Sequence, residues 1–144
     1  CTIDVAHLVP FFARKRIYTY PTDTGATARY ENCHWTALNF FNDPPDNAFL
    51  DADRVEHEFR KNYSKVTGNA QLGDLILFRE PNGEVVHSAT YIAEDVVFTK
   101  NGEGVYQPWL FMKATDVIAV YSNVYGRVTA TLYRRKDMFY PDGN

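Results

Sequence analysis

Four residues of this sequence have the types and the order that thiol chemistry requires. Cys33 is followed by His87 in the second half of the chain, and Thr99 and Asn101 come soon after that histidine. A cysteine hydrolase needs a thiolate and a base that takes and returns its proton. It also needs a polar group that orients the base, and donors for the oxyanion. These residues therefore predict a nucleophile, Cys33, and a base, His87, with Asn101 or Thr99 as the orienting group.

Cys33 is placed where the start of a helix would activate a thiol. Asn32 is a good helix cap, and apolar residues recur at helical spacing after Cys33 until Pro44 and Pro45 stop the pattern. Unpaired backbone N–H groups and the positive end of the dipole at a helix N-terminus favour a thiolate. We therefore expect a short buried helix that begins at Cys33.

His87 is the best candidate for the base among four histidines. It lies in the middle of an apolar strand-like segment, where an imidazole is costly unless it is paired. A strand packed on the cysteine helix would bring the ring to the sulfur. The alternative is a core histidine with satisfied hydrogen bonds. His34 is weaker because it points about 100 degrees around the helix from Cys33, and His7 and His57 lie in unrelated segments.

The residue that orients His87 has two candidates. Asn101 is chemically the better partner, since its amide oxygen can accept a hydrogen bond from an imidazole N–H. Thr99 competes through its hydroxyl, and both residues lie on the same side of the next strand. The alternative reading of Asn101 and Gly102 is a simple turn.

Groups that could bind the oxyanion or the substrate surround the nucleophile. The backbone N–H of Cys33 is one oxyanion donor, and a side chain from the preceding segment would be the second. Large aromatic side chains could line a groove, although core packing is the competing role for each of them. The candidates for an oxyanion or substrate contact are Tyr20, Tyr30, Asn32 and Trp35, and Tyr91, Trp109 and Phe111 are further candidates for groove walls.

The elements that must position these residues follow an α+β order. After the cysteine helix, Asp51 caps a predicted second helix whose apolar face extends to Tyr63 and Val66. The spacing of apolar residues then changes and predicts strands at 75–78, 84–93 and 96–102, which are joined by tight reversals. A short apolar run at 109–112, an ambiguous helix or strand at 115–124 and a closing strand at 128–133 complete the pattern. Helices followed by an antiparallel sheet predict an α+β fold.

Length, charge and cysteine content restrict the class of protein. The 144 residues predict one domain over 1–144, with a lead-in at 1–19 and a loose tail at 137–144. A net charge of -3 and only two short basic runs make nucleic acid an improbable partner. No zinc-type spacing of Cys or His occurs, so neither a metal nor another cofactor is expected. No apolar run reaches the ~20 residues of a transmembrane helix, and a leading Cys1 would fit a bacterial lipid anchor or simply a cut start.

Three ordered segments give the sequence a family resemblance. They are the Asn32-Cys33-His34-Trp35 helix start, the Leu72-Gly73-Asp74 segment before an apolar strand, and the His87-Ser88-Ala89 strand. Together they resemble the NlpC/P60 branch of the papain-like cysteine hydrolases. The resemblance implies a cysteine helix and a second helix packed on an antiparallel sheet, Cys33 as nucleophile and His87 as base. The third residue would be at Thr99, where the family usually has histidine, and Ala89 replaces the family's glycine.

The resulting hypothesis is a cysteine peptidase or amidase that works through an acyl-enzyme on Cys33. The resemblance implies peptide substrates such as bacterial cell-wall stem peptides, and hence a location in the bacterial envelope or outside the cell. One alternative is a transglutaminase-like or acyltransferase-like thiol enzyme. Another is a non-catalytic member of the same fold that binds peptide or glycan, with Cys33 as a buried structural thiol.

Overall fold

A six-stranded antiparallel sheet forms the centre of the protein. The structure is a computed structural model, and it describes residues 7–23 and 30–139. The strands run in the spatial order β1-β6-β2-β3-β4-β5, and each neighbouring pair is antiparallel. Their bounds are β1 Tyr63–Lys65, β2 Leu75–Arg79, β3 Val85–Ala93, β4 Val96–Lys100, β5 Trp109–Lys113 and β6 Thr129–Arg135.

Five α-helices surround the sheet within the described ranges. Helix α2 begins after Asn32 and α3 begins after Asp51, and each of these two residues caps its helix by accepting a hydrogen bond from a backbone N–H. No helix in the described part of the chain has the length and apolar character needed to cross a bilayer. The bounds are α1 Phe11–Arg16, α2 Cys33–Leu38, α3 Ala52–Asn62, α4 Ala114–Tyr125 and α5 Lys136–Phe139, with a 3-10 turn at Asn47–Leu50.

The observed elements confirm the predicted α+β class and correct one helix. The cysteine helix and the helix capped by Asp51 begin where the sequence places them. The prediction that the second helix continues through Tyr63 and Val66 was wrong. Tyr63 has an extended backbone and is the first residue of β1. It pairs with Arg135 of β6. The backbone hydrogen bonds of this strand come from a partner far away in sequence. The helical spacing of apolar residues could not reveal that partner.

The two ambiguous segments of the second half are now assigned. The run at 109–112 is strand β5, and the segment at 115–124 lies in helix α4. The expected closing strand is β6. Within the expected tail at 137–144, the residues up to Phe139 belong to helix α5, and the remaining ones lie outside the described residues, as does Cys1.

Apolar side chains cover both faces of the sheet. On one face Phe98 packs in a core cluster with Trp35 and Leu38 of the cysteine helix. On the other face Val97 packs in a second cluster with Val117 of α4. Adjacent residues of β4 thus point to opposite layers, as the alternation of strand side chains requires. The sheet therefore lies between the cysteine helix and α4.

A buried ion pair joins the entrance of β2 to the end of β6. The Asp74 carboxylate is fully buried and accepts hydrogen bonds of 2.7 Å from Nε and Nη2 of Arg134. It also accepts from the backbone N–H of Gln71 at 2.8 Å. The preceding Gly73 has φ +91°, and a Cβ there would collide with the Phe41 ring. The Gly-Asp segment of the family resemblance thus has a structural role in this chain.

Replacing Arg134 by methionine should destabilise the protein strongly, because it leaves the Asp74 carboxylate buried without its counter-charge. We expect Arg134→Met to lower the free energy of unfolding by about 3–5 kcal/mol. Arg135→Met is the matched control, since its ion pair with Asp137 is exposed, and it should cost less than about 1 kcal/mol. Urea denaturation measures both, and equal losses in the two variants would contradict the assignment.

Candidate active site

Cys33 is the first residue of α2 and is only 9% exposed. The Asn32 side chain accepts from the Trp35 N–H at 2.9 Å, and the Asn32 carbonyl accepts from the Thr36 N–H at 3.0 Å. These two bonds fix the first turn of the helix. The thiol is free of any disulfide. The sulfur is thus held at a defined place at the start of a six-residue helix.

Strands β3 and β4 both contact the cysteine helix. Their paired residues run from Thr90 opposite Phe98 to Ala93 opposite Val96. His87 and Thr99 lie just beyond this paired stretch, and a hydrogen bond joins their side chains. The two strands that contact α2 therefore carry the candidate base and its hydrogen-bond partner.

His87 is fully buried and is oriented by a chain of hydrogen bonds. Its Nε2 lies 2.8 Å from Oγ1 of Thr99, and that hydroxyl donates to Oδ1 of Asn101 at 3.1 Å. Because the Thr99 proton is directed to Asn101, Thr99 Oγ1 must accept from an Nε2–H of His87. The network therefore sets the neutral tautomer of His87, with Nδ1 unprotonated.

The Nδ1 atom of His87 is available to act on the thiol. No hydrogen bond of ordinary geometry joins this buried atom to any described residue. The imidazole nevertheless lies close enough to Cys33 to affect its sulfur by charge and by hydrogen bonding. The contact is thus less well aligned than a standard hydrogen bond, as is common in unliganded catalytic sites.

The surroundings of Cys33 favour the thiolate overall. Burial raises the pKa of the Cys33 thiol and is the largest single effect. The charge of His87, hydrogen bonding from its ring, and the backbone N–H groups of Ser88 and His34 act in the opposite direction. Their combined effect lowers the pKa of Cys33 below its usual value, which is the condition for a reactive cysteine.

The two candidates for the orienting residue have different places in the chain of hydrogen bonds. Thr99 contacts the imidazole directly, whereas Asn101 bonds to Thr99 and not to the ring among the described contacts. Asn101 was the preferred direct acceptor from sequence. Asn101 follows the end of β4 at Lys100. Its Oδ1 accepts from the hydroxyl of Thr99, and its Nδ2 donates to Sδ of Met112.

Two aromatic rings hold the plane of the His87 imidazole. Tyr121 of α4 stacks on it with 4.3 Å between ring centroids and 25° between planes, and Phe78 contacts it at 5.4 Å. Burial raises the pKa of the Tyr121 phenol, and the nearby charge of Cys33 acts in the same direction. Sequence reasoning missed Tyr121 because its segment was ambiguous between helix and strand.

The candidates for substrate and oxyanion contacts have separate locations. Tyr20, Tyr30 and Trp109 line a cleft of about 390 Å³ on the Glu31 side of Cys33. The Tyr30 hydroxyl also donates to Asp23 at 3.3 Å. The candidates Asn32 and Trp35 are used by the helix and the core: the Asn32 oxygen caps α2, and the fully buried Trp35 ring is not accessible to a substrate. Of the other proposed groove walls, Phe111 packs on Phe98, and Tyr91 packs against the cluster on the α4 face.

A second cleft is lined in part by residues of α2 and α3. It has a volume of about 770 Å³, and His34, Val55, Phe59 and Val85 form part of its lining. The His34 ring is fixed there by its Nδ1 contact with the Ser88 hydroxyl at 2.8 Å. Glu31 and His34, which lie close to Cys33 in sequence, thus line different clefts.

A buried lysine next to the site was also missed. Lys100 directly follows Thr99, has no exposed surface, and donates from Nζ to the carbonyls of Gly102 and Gly104. Its position at the end of an apolar strand resembles an ordinary exposed strand end in sequence. In the structure, the three residues of β4 that precede Lys100 are buried as well.

Comparisons with known proteins identify no relative. No family model, no curated protein and no solved structure matches the chain. The residues that the structure describes contain no group of three His, Cys, Asp or Glu side chains that could hold a metal ion. The resemblance to the papain-like hydrolases therefore stays a prediction from sequence.

Replacing Thr99 by valine should impair thiol activation, because it leaves the buried Nε2–H of His87 without its acceptor. We expect the rate of Cys33 alkylation at neutral pH to fall by about ten-fold in Thr99→Val. Thr90→Val is the matched control, since the Thr90 hydroxyl is buried without a partner among the described residues. Peptide-resolved mass spectrometry separates Cys33 from Cys1. Equal rates in the two valine variants would contradict the role of Thr99.

The ionisation of Cys33 should also couple to folding. Between the lowered pKa of Cys33 in the folded chain and the usual thiol value, the unfolded chain binds more protons. The free energy of unfolding should therefore rise with pH through this window. Cys33→Ser should lose that rise, which urea denaturation at several pH values measures. The same rise in the serine variant would show that another group causes it.

Proposed function

We propose that this chain is a cysteine peptidase or amidase that cleaves an amide bond through an acyl-enzyme on Cys33. The proposal depends mainly on one observation, the hydrogen-bond chain from Asn101 through Thr99 to His87. That chain leaves the His87 Nδ1 unprotonated beside a thiol whose pKa is lowered. A nucleophile, its base and an orienter of the base are the minimum set for this chemistry.

The first chemical step follows from the tautomer of His87. Nδ1 takes the proton of the Cys33 thiol, and the imidazolium keeps its Nε2–H on Thr99. The thiolate then attacks the amide carbonyl carbon and forms the C–S bond, while the carbonyl electrons move to the oxygen. Cys33 is the first residue of α2, so its backbone N–H has no acceptor within the helix. This N–H can therefore donate a hydrogen bond to the oxyanion.

The later steps return the proton and release the acyl group. The imidazolium donates its Nδ1 proton to the leaving amine as the C–N bond breaks, which leaves a thioester on Cys33. Nδ1 then takes a proton from water, whose oxygen attacks the thioester carbon. The C–S bond breaks, the carboxylic acid leaves, and the imidazolium returns its Nδ1 proton to the sulfur, which restores the thiol and the neutral ring. No residue other than Cys33 and His87 changes its covalent state or its protonation in this cycle.

The family resemblance supports a papain-like fold of the NlpC/P60 type and a substrate class. The order of a cysteine helix, a second helix and an antiparallel sheet with the histidine on β3 is compatible with that fold. We propose peptides from the bacterial cell wall as the first substrates to assay. Such substrates would place the protein in the bacterial envelope or outside the cell. Two clefts, one lined by Glu31 and the other by His34, are candidate surfaces for such a peptide.

Trapping the acyl-enzyme tests the proposed function. A chain incubated with a library of stem-peptide amides and thioester-forming analogues should gain the acyl mass on Cys33, and hydroxylamine should release it. Cys33→Ala should abolish turnover, and His87→Ala should lower it by at least about a hundred-fold. Thr90→Val should keep full activity. Adding an amine acceptor separates hydrolysis from acyl transfer, and wild-type turnover in Cys33→Ala would refute the proposal.

A further inference from the structure

Arg16 is a half-buried cation that the reaction described above does not use. It is the last residue of α1, and it lines the cleft of about 390 Å³ to which Tyr20, Tyr30 and Trp109 contribute. We call this concave surface the Arg16 cleft. In the sequence Arg16 belongs to the short basic run at 14–16, and its two neighbours in that run are exposed. Arg16 alone among the three is drawn partly into the protein.

Three aromatic rings position the Arg16 guanidinium. Its central carbon Cζ lies 4.1 Å from the ring centroid of Phe12, 5.3 Å from that of Trp35 and 5.6 Å from that of Trp109. Each of these distances is within the range of a cation–π contact. Three such contacts restrict the rotamers of a long side chain. The guanidinium is therefore already oriented before a ligand binds, which lowers the entropic cost of binding.

Backbone hydrogen bonds fix the segment that follows α1 against β5. The Tyr18 N–H donates to the carbonyl of Trp109 at 2.7 Å, and the Trp109 N–H donates to the carbonyl of Thr19 at 3.1 Å. The Thr19 hydroxyl donates to the carbonyl of Arg16 at 2.6 Å. The wall of the Arg16 cleft is therefore supported by a strand of the central sheet, which favours a precise binding geometry.

Most hydrogen-bond donors of this guanidinium have no acceptor in the described part of the chain. A guanidinium carries five N–H donors. Within residues 7–23 and 30–139, the Arg16 side chain makes one hydrogen bond, from Nη1 to the Phe12 carbonyl at 3.3 Å, and no carboxylate forms an ion pair with it. Burial lowers the pKa of Arg16, while the charges of Glu31 and Asp43 raise it. An arginine stays protonated at neutral pH, so a charged group with spare donors faces the cleft.

The charges that line the Arg16 cleft favour one singly charged anion. Lys15 and Arg16 contribute two positive charges and Glu31 contributes one negative charge, which leaves a net charge of +1. A carboxylate has that single negative charge, and its two oxygens match the fork of a guanidinium through parallel N–H···O bonds. The aromatic walls of the cleft suit the apolar part of a molecule that carries the carboxylate.

We propose that Arg16 binds a free carboxylate of the substrate peptide and thereby selects which peptides react at Cys33. Glu31 links the two places, since it lines the Arg16 cleft and lies two residues before Cys33. Arg16 also contacts Trp35 of the cysteine helix. The peptide C-terminus and an acidic side chain present the same group to Arg16. The inference rests on the proposed function only where it calls the ligand a substrate.

Binding of small blocked amino acids to the wild-type chain tests the site. N-acetylalanine carries a C-terminal carboxylate and N-acetylglutamic acid amide carries a side-chain carboxylate, and the matching neutral amide of each is its control. Nitrogen-15 NMR of the Arg16 Nε–H should show that at least one acid binds about ten-fold more tightly than its amide. The acid that binds identifies the source of the carboxylate. Equal affinities within both pairs would overturn the proposal.

Charge variants should change the affinity for the acid in opposite directions. Arg16→Gln should weaken it by about ten-fold, while Glu31→Gln should strengthen it by about two-fold, because a repelling charge is removed. Arg14→Gln is the matched control, since Arg14 is an exposed arginine of the same helix, and its affinity should equal that of the wild type. Unchanged affinity for the acid in folded Arg16→Gln would overturn the proposal.

The carboxylate site and the proposed function can fail separately, because none of these readouts uses turnover. The titration of the wild-type chain also decides the question if Arg16→Gln does not fold. A preference for acids in a chain that cleaves no amide would refute the proposed function and keep the Arg16 site. Turnover in a chain that binds acids and amides equally would do the reverse.

Discussion

The hydrogen bond between His87 and Thr99 is the interaction on which the proposed thiol chemistry depends. A neutral imidazole has one donor and one acceptor nitrogen, and the partner of the donor decides which nitrogen is left as the base. Here Thr99 takes the Nε2–H because its own hydroxyl proton is directed to Asn101. If the Thr99 hydroxyl did not donate to Asn101, the proton of the neutral imidazole could equally occupy Nδ1. The ring would then present an N–H donor to the thiol instead of a base.

The rest of the fold keeps that bond in place. The sheet lies between two apolar layers, so β3 and β4 are held while their register stops at Thr90 and Phe98. Tyr121 fixes the imidazole plane from the α4 layer, and the buried pair of Asp74 and Arg134 ties β2 to β6 at the far side of the sheet.

Local chemistry made much of this structure predictable from sequence. The caps at Asn32 and Asp51, the turn before β3 and the alternation in the strands are short-range signals, and each confirmed element began close to its expected residue. The extended backbone at Tyr63 depends on a partner far away in sequence, Arg135 of β6. Long-range pairing of this kind leaves no periodic pattern, so the sequence did not predict it.

The protonation state of the His87 ring tests the central claim most directly. Nitrogen-15 NMR distinguishes a protonated from an unprotonated ring nitrogen in the neutral imidazole. We expect neutral His87 to carry its proton on Nε2, with Nδ1 unprotonated toward Cys33. We also expect Thr99→Val to lose this preference. A neutral ring with its proton on Nδ1 in the wild-type protein would contradict the account, since that nitrogen could not accept the proton of the thiol.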